Sequence, residues 1–489
     1  MPRRLLHVSA DDGTALRTAL AALRTTLEVP EGFPPAVLAE ARASAAAPRL
    51  PETDATDLPL FTVDPPGSVD LDQAMHLARR PGGGYRVHYA IADVAAFVTP
   101  GGALDTEAHR RVTTLYFPDE RVPLHPVELS EGAASLLPDQ VRPALLWRLD
   151  LDADGATTAT DVRRALVRSR ARLDYAGVQH AIDAGTAEEP VALLKEIGGL
   201  REALEVARGG ISLNVPEQEI AGHGGDYVLE YRAPLPADGW NAQISLLTGM
   251  AAADLMLGSG NGTAAVGVLR TLPTAPDGSV ARLRRIARAL GVDWPDGTSY
   301  ATVIRSLDPR RTHHAAFLQE CTTLLRGAGY TVFGPGAGPL PEHTTHAAVA
   351  APYTHCTAPL RRLVDRYAGE ICLAVAAGTE PPGWVLEALP TLPKEMNEGT
   401  QRANRVERGC VDLIESALLK DRVGEIFDAY VVDVKEGDPG SGTIHVDDPA
   451  VVARIASAPG APPLPLGRRL RVRLTAADPG TAQVLFAPA

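Results

Sequence analysis

The stretch that most constrains the fold lies at the end of the chain. Residues 421–489 include DAYVVDVKEGDPGSGTIHV and LGRRLRVRLTAADPGTAQVLFA, short alternating runs broken by Gly, Pro and Asp turns, with no helical period. Roughly 65 residues of short strands hide their apolar faces best by closing into a small barrel, and an OB-fold is the size match. Just upstream, NEGTQRANRVERGCVDLIESALL (397–419) is predicted to be helical, with Val406, Cys410, Leu413, Ala417 and Leu418 on one stripe. YRVHYAI, behind a PGGG turn, places Tyr85, Val87, Tyr89 and Ile91 on one face, as a half-buried strand does. ALLWRLDLDADG reads as a second strand with its turn, and SLLTGMAAADLML (245–257) as a buried helix. At the front, Asp12 is placed to cap a helix carrying Leu16, Leu20 and Leu23, and Pro34 to open another. PRLPETDATDLP (48–59) then reads as a linker. The expectation is an α+β chain in three parts: a small helical unit at 1–57, a large mixed unit at 58–420 and the barrel at 421–489.

A length of 489 residues agrees with about three units. Lys and Arg number 47 against 60 Asp and Glu, a net charge of −13, which argues against a protein that coats nucleic acid with its whole surface. It leaves room for arginines lining one channel. RRALVRSRARLD and RLRRIAR are local clusters of that kind, although solvated helix faces explain either one alone. The four cysteines form no CxxC, MPRRLLHVSADDG lacks the apolar core of a secretory leader, and no apolar run reaches the roughly 18 residues that cross a bilayer. A reduced, cytoplasmic protein with no membrane partner is expected.

DPPGSVDLDQA sets Asp64, Asp70 and Asp72 within nine residues. Asp70 and Asp72 fall on one side of an extended segment, and a Pro-Pro-Gly bend can return Asp64 to them. Converging carboxylates repel unless a cation joins them, and oxygen-only ligands suit magnesium or manganese. A solvated Asp/Pro loop explains the same residues, and DLD is also the DxD pattern of sugar transferases. In PYTHCTAPLRRLVDR, Arg361 and Arg362 can bind phosphate in a bidentate fork, or a helix-start arginine can pair with Asp365. His343 and His346 in EHTTH lack the further ligands of a zinc site and read as packing or capping residues. Arg402, Arg405 and Arg408 form a rough basic stripe beside Glu407. Acids, arginines and a terminal barrel together point to phosphodiester chemistry on nucleic acid.

VDPPGSVDLDQAM resembles the signature of the RNB catalytic domain of the ribonuclease II/ribonuclease R family. The resemblance continues in order through residues 88–126, ELSEGAASLLPDQVRPAL, RSRARLDYAGV and YTHCTAPLRRLVDRY, and covers about residues 58–420. It implies a mixed-sheet RNB catalytic domain wrapped by helices (58–420), an N-terminal helical domain (1–57) that either contacts RNA or only packs, and an OB-fold RNA-binding domain (421–489). It further implies a processive 3′→5′ exoribonuclease, monomeric by family habit, that takes single-stranded RNA to 5′-mononucleotides at a two-metal site, with Mg2+ as cofactor and Mn2+ as substitute. On this resemblance Asp64, Asp70, Asp72 and Gln73 are the metal ligands, and Asp72 and Arg361 are catalytic. Tyr116 stacks on the terminal nucleotides, Glu407 holds the last one, and Arg362 and Arg408 are further RNA contacts. Gln73 stands where the family has a fourth aspartate, and NAQISLLTGM where many relatives carry paired glutamates. The alternative is a catalytically weak RNA-binding protein that keeps the channel. Phe427, Tyr430 and Phe486 are the few aromatics of the terminal barrel, so stacking there is expected to be weak.

Overall fold

The structure is a computed structural model that describes residues 14–489, apart from 216, 224–225, 233, 259–264, 326, 436, 447–450 and 480–482. Asp12, the expected cap of the first helix, lies outside the described residues. Five strands, Leu60–Asp64, Gln73–Arg79, Tyr85–Ala92, Val141–Leu151 and Thr157–Asp174, follow one another around a closed barrel. Neighbours in this meander are antiparallel, but an odd number of alternating strands brings the first and last together in the same direction. Leu60–Asp64 accordingly pairs parallel with the last strand, Asp64 opposite Asp174.

Closure explains a departure from the sequence reading. Tyr85, Val87, Tyr89 and Ile91 are buried as the alternation predicts, and Tyr89 sits opposite Trp147 on the next strand. Ala90 and Ala92 are buried too, because the second face is covered once the sheet curls onto itself. The large residues meet the helices Glu189–Arg208, Pro236–Met256 and Leu363–Ala376, and the small ones (Ala74, Ala90, Ala92, Ala144, Ala165) form a second cluster with Leu71 and Phe97.

The C-terminal segment forms a second closed barrel from Ile426–Lys435, Asp438–Val446, Val451–Ala456, Arg469–Asp478 and Gln483–Pro488. Here the fifth strand inserts between the third and fourth, parallel to the third, the Greek-key order of an OB-type barrel. Phe427 and Phe486 meet edge to face at 5.7 Å inside it, so two of its few aromatics are spent on the core.

The helix Leu392–Leu419, about 42 Å long at 1.5 Å per residue, joins the parts. Met396 packs in the main cluster, and Ile414 and Leu419 in the terminal barrel. Val406, Cys410 and Leu413 pack with Leu20 of the helix Thr14–Thr26 and with Leu115, Phe117 and Val122 of a short hairpin. Gly409 allows that approach, since a Cβ there would come within 2.8 Å of Leu23. The second front helix, Pro35–Ala46, packs elsewhere: Val37 and Ala41 join the small-residue cluster, and Glu40 accepts the first N–H groups of the helix Ala103–Arg111. Nor does the expected linker run free. Leu166 donates to the carbonyl of Thr53 and accepts from Ala55, strapping that stretch along the barrel. Among the described residues no helix is long and apolar enough to cross a membrane.

Candidate active site

The bend expected of Pro65, Pro66 and Gly67 is present. Ser68 N–H closes a turn onto the Pro65 carbonyl, and Gly67 sits at φ +81°. The chain then runs back past Ser135, whose hydroxyl accepts from Leu71 N–H (2.9 Å) and donates to the Val69 carbonyl (2.7 Å). Leu71 is fully buried, which sends Asp70 and Asp72 to the opposite side of the extended segment.

The three carboxylates are not gathered into a ready cage. Among the described residues no group of three or more His, Cys, Asp or Glu side chains is placed to hold a metal ion. Asp70 and Asp72 each turn to a cationic or N–H partner, which offsets the repulsion between neighbouring carboxylates. Asp70 meets Arg121 at 2.5 Å, while Arg121 also grips Glu131 at 2.9 Å. Asp72 accepts Leu360 N–H (2.8 Å) and lies 3.6 Å from the Arg361 guanidinium. The acids nevertheless feel one another. Burial, with a further push from Asp70, raises Asp64 to about 6. Burial raises Asp72 to about 8 against the pull of Arg361, with Asp365 and Asp70 adding to the rise. Asp64 Oδ2 is buried with no hydrogen-bond partner. Desolvated carboxylates and an orphaned oxygen suit a hard cation.

Gln73 donates its amide nitrogen to the carbonyl of Thr357, so its oxygen is the atom left to serve a cation. Thr357 in turn shares a hydrogen bond with Ser245 (2.8 Å), which ties the glutamine to the NAQISLL helix.

Tertiary structure separates the two arginines that the sequence left equivalent. Arg362 is bound to Asp365 through two contacts of 2.9 and 2.8 Å. Burial lowers its pKa, but Asp365 outweighs burial and holds it well above the usual range. The fork of Arg362, expected to contact RNA, is engaged by Asp365, which also accepts Ala358 N–H at 2.7 Å. The helix-start pair is thus Arg362 with Asp365, and Arg361 is the arginine beside the acids. Its carbonyl accepts Thr113 Oγ1 (2.9 Å) and Thr114 N–H (3.1 Å), the residues that lead into the hairpin.

That hairpin sets Tyr116 opposite Arg121, so the half-buried tyrosine and the arginine holding Asp70 share one short ladder. The hairpin packs on the long helix that carries Glu407, half-buried, and Arg408, exposed.

Sequence reasoning passed over several members of the site. Arg121 was visible only as part of FPDERVPLHP. Tyr175 follows Asp174, the residue paired with Asp64; burial first and Asp64 second push its phenol up, and it takes a hydrogen bond from Asn241 (3.2 Å). Asn241 Oδ1 and the Tyr89 hydroxyl are both buried without partners, and Tyr89 too is pushed up by burial and by Asp64. The only signals for them were a polar residue opening an apolar helix and one tyrosine in an alternating strand.

Comparison with known proteins follows the same outline. A model of the RNB domain matches residues 52–375, and a model of the RNase II-type exonuclease C-terminal S1 domain matches residues 425–489. Ribonuclease R of Escherichia coli is 28% identical over 464 residues, which is 88% of this chain and 55% of the relative. A probable exosome complex exonuclease of Caenorhabditis elegans is 30% identical over 405 residues, 79% of this chain and 41% of the relative. The chain thus spans about half the length of these curated relatives. Among solved structures, Mycoplasma genitalium ribonuclease R in complex with ribose-methylated single-stranded RNA superposes with a TM-score of 0.80 at 18% identity, over 96% of this chain and 77% of the other. A yeast pseudonuclease superposes at 0.68 with 17% identity, over 96% of this chain and 58% of its own. At such identities the likeness speaks for the fold.

Proposed function

Since this chain belongs to the RNB-domain ribonuclease family, we propose that it is a divalent-metal-dependent 3′→5′ exoribonuclease that hydrolyses single-stranded RNA to 5′-mononucleotides. The observation that carries the reading is the pair formed by Asp72 and Arg361. A buried carboxyl stands 3.6 Å from a guanidinium whose side chain keeps 30% of its surface open. That arrangement gives an incoming phosphate a positive charge on the solvent side of an acidic centre.

Asp64, Asp70, Asp72 and the amide oxygen of Gln73 would hold magnesium, or manganese in its place. When bound, the metal supplies an activated water and neutralises charge on the phosphate oxygens. The protein's own residues do the rest. Arg361, fixed through its carbonyl by Thr113 and Thr114, places its charge where the transition state is most negative. Arg121 orients Asp70 by holding one of its oxygens. Tyr116 offers a ring for a terminal base, and Glu407 and Arg408 on the adjoining helix complete the grip on the strand. The closed C-terminal barrel guides RNA through its basic strand Arg469–Asp478, which carries Arg469, Arg471 and Arg473. The working species is a cytoplasmic monomer.

The second reading, an RNA-binding protein with weak or no cleavage, is favoured by Gln73, whose nitrogen is committed to Thr357 and whose oxygen brings no charge. End-labelled single-stranded RNA, incubated with magnesium, with manganese or with chelator, separates the two. Metal-dependent release of mononucleotides and one short limit product supports the enzyme. Tight binding without cleavage in either metal, at enzyme excess, establishes the second reading instead.

A further inference from the structure

We propose that the pocket between the helices Glu189–Arg208 and Pro236–Met256 is a binding site for a small phosphate monoester of nucleotide size, separate from the candidate active site. The pocket has a volume of about 470 Å3 and is lined by Thr157, Arg201, Leu204, Arg208, Met250 and Asp254, among others. That volume lies within the range of small-molecule sites.

Two arginines give it its chemistry. Arg201 is only 4% exposed. One of its terminal nitrogens donates to the Gly155 carbonyl at 2.9 Å and the other faces the weak acceptor Met250 Sδ at 3.9 Å, while Nε is buried with no partner. Arg208 donates Nε–H to the Val349 carbonyl at 2.7 Å, and its Nη2 is buried without an acceptor. Neither guanidinium is held by a carboxylate among the described residues. Glu205, on the same helix, turns instead to two neutral donors, Ser212 Oγ at 3.1 Å and Gln243 Nε2 at 2.6 Å.

Two desolvated cations on one helix, each with a buried N–H that lacks an acceptor, are a costly arrangement for a fold to keep. Burial, and after it the neighbouring Arg208, lowers Arg201 to about 10 against the pull of Asp152 and Glu205; burial lowers Arg208 as well, against the pull of Glu205. A phosphate monoester relieves both, because its several anionic oxygens accept from two guanidiniums at once. Leu204 and Met250 supply an apolar wall for a base, and the exposed Asp254 on the rim can accept from sugar hydroxyls.

The site is distinct from the acidic one. Thr157 and Asp174 are the two ends of one 18-residue strand, and it is Asp174 that pairs with Asp64. The inference does not rest on RNA cleavage; an inactive protein would leave its test unchanged.

The test is calorimetry on the full chain in chelator, which suppresses metal-mediated phosphate binding at the acids. The probes are AMP, adenosine and inorganic phosphate, with the wild type, Arg208→Gln and Asp254→Asn. Arg208 is half-buried at a helix end, so its substitution leaves the core intact. Expected is saturable 1:1 binding of AMP, no binding of adenosine at the same concentration, and about tenfold or greater weakening in Arg208→Gln. Asp254→Asn is expected to weaken AMP and leave inorganic phosphate unchanged. Equal binding of AMP and adenosine, or an AMP affinity indifferent to Arg208→Gln, overturns the proposal. So does inorganic phosphate binding as tightly as AMP. If Arg208→Gln weakens an RNA oligomer while AMP does not bind at all, the arginines belong to an RNA path and the small-ligand site is refuted.

Discussion

Asp365→Asn isolates the ion pair that separates Arg362 from Arg361. Asp365 is fully buried and Arg362 keeps only 16% of its side chain exposed, so removing one charge strands the other in a poorly solvated place. Breaking such a pair typically costs about 3–5 kcal/mol. Asparagine retains an acceptor for Ala358 N–H, so the second role of Asp365 survives and the loss reports on the charge. The residual exposure of Arg362 places the expected cost near the lower end, about 3 kcal/mol. Arg362→Met is expected to cost a similar amount by stranding the carboxylate. The double variant removes both charges, so its loss should fall about 2–3 kcal/mol short of the sum of the singles. Urea unfolding followed by tryptophan fluorescence suits the measurement, because Trp147 and Trp240 are buried in the cluster that also holds Leu363 and Val364. Cleavage should fall more than RNA affinity in Asp365→Asn, since Arg361 is the next residue along. Single losses under about 1 kcal/mol, or a strictly additive double variant, would refute the assignment of Arg362 as a structural staple.

Asp72→Asn is expected to abolish turnover while leaving single-stranded RNA affinity nearly intact in a filter-binding assay; surviving cleavage would remove Asp72 from the chemistry. Gln73→Asp should lower the magnesium concentration for half-maximal rate severalfold, because the new carboxylate brings the negative charge that the amide lacks; an unchanged magnesium dependence would mean that position 73 does not meet the metal. His125 gives the pH prediction. It is 3% exposed, and burial, then Arg366, lowers it to about 3 from an unfolded value near 6.5. The unfolded chain therefore binds the extra proton between these values. Stability from this residue is complete above about pH 6.5 and is lost as pH falls toward 3, about 2 kcal/mol of it between pH 7 and pH 5. Urea midpoints measured at both pH values should show a loss smaller by about that amount in His125→Gln, and an identical loss in both proteins would contradict the assignment.

Much of the architecture was legible because it is local. A period of two over Tyr85–Ile91, helical spacing from Val406 to Leu413, and turns at fixed intervals after residue 426 are properties of neighbouring residues. Chain geometry turns such spacing into strands and helices with defined faces. The same locality put Asp70 and Asp72 on one side of their segment and made Pro65 to Gly67 a bend. The sequence by itself therefore determined the element types, the terminal barrel and the presence of an acidic bend. Only the tertiary structure decided what those acids meet. Arg121 reaches Asp70 from 51 residues away, Leu360 reaches Asp72 from 288, and Thr357 reaches Gln73 from 284. No periodicity links residues so distant. Arg361 and Arg362 are adjacent and chemically identical, and only the placement of Asp365 inside the fold gave one to the helix and the other to the acids. Arg201 and Arg208 are a similar case: they share one helix, and they became desolvated, each with an N–H lacking an acceptor, because a second helix and the end of the first barrel closed around them.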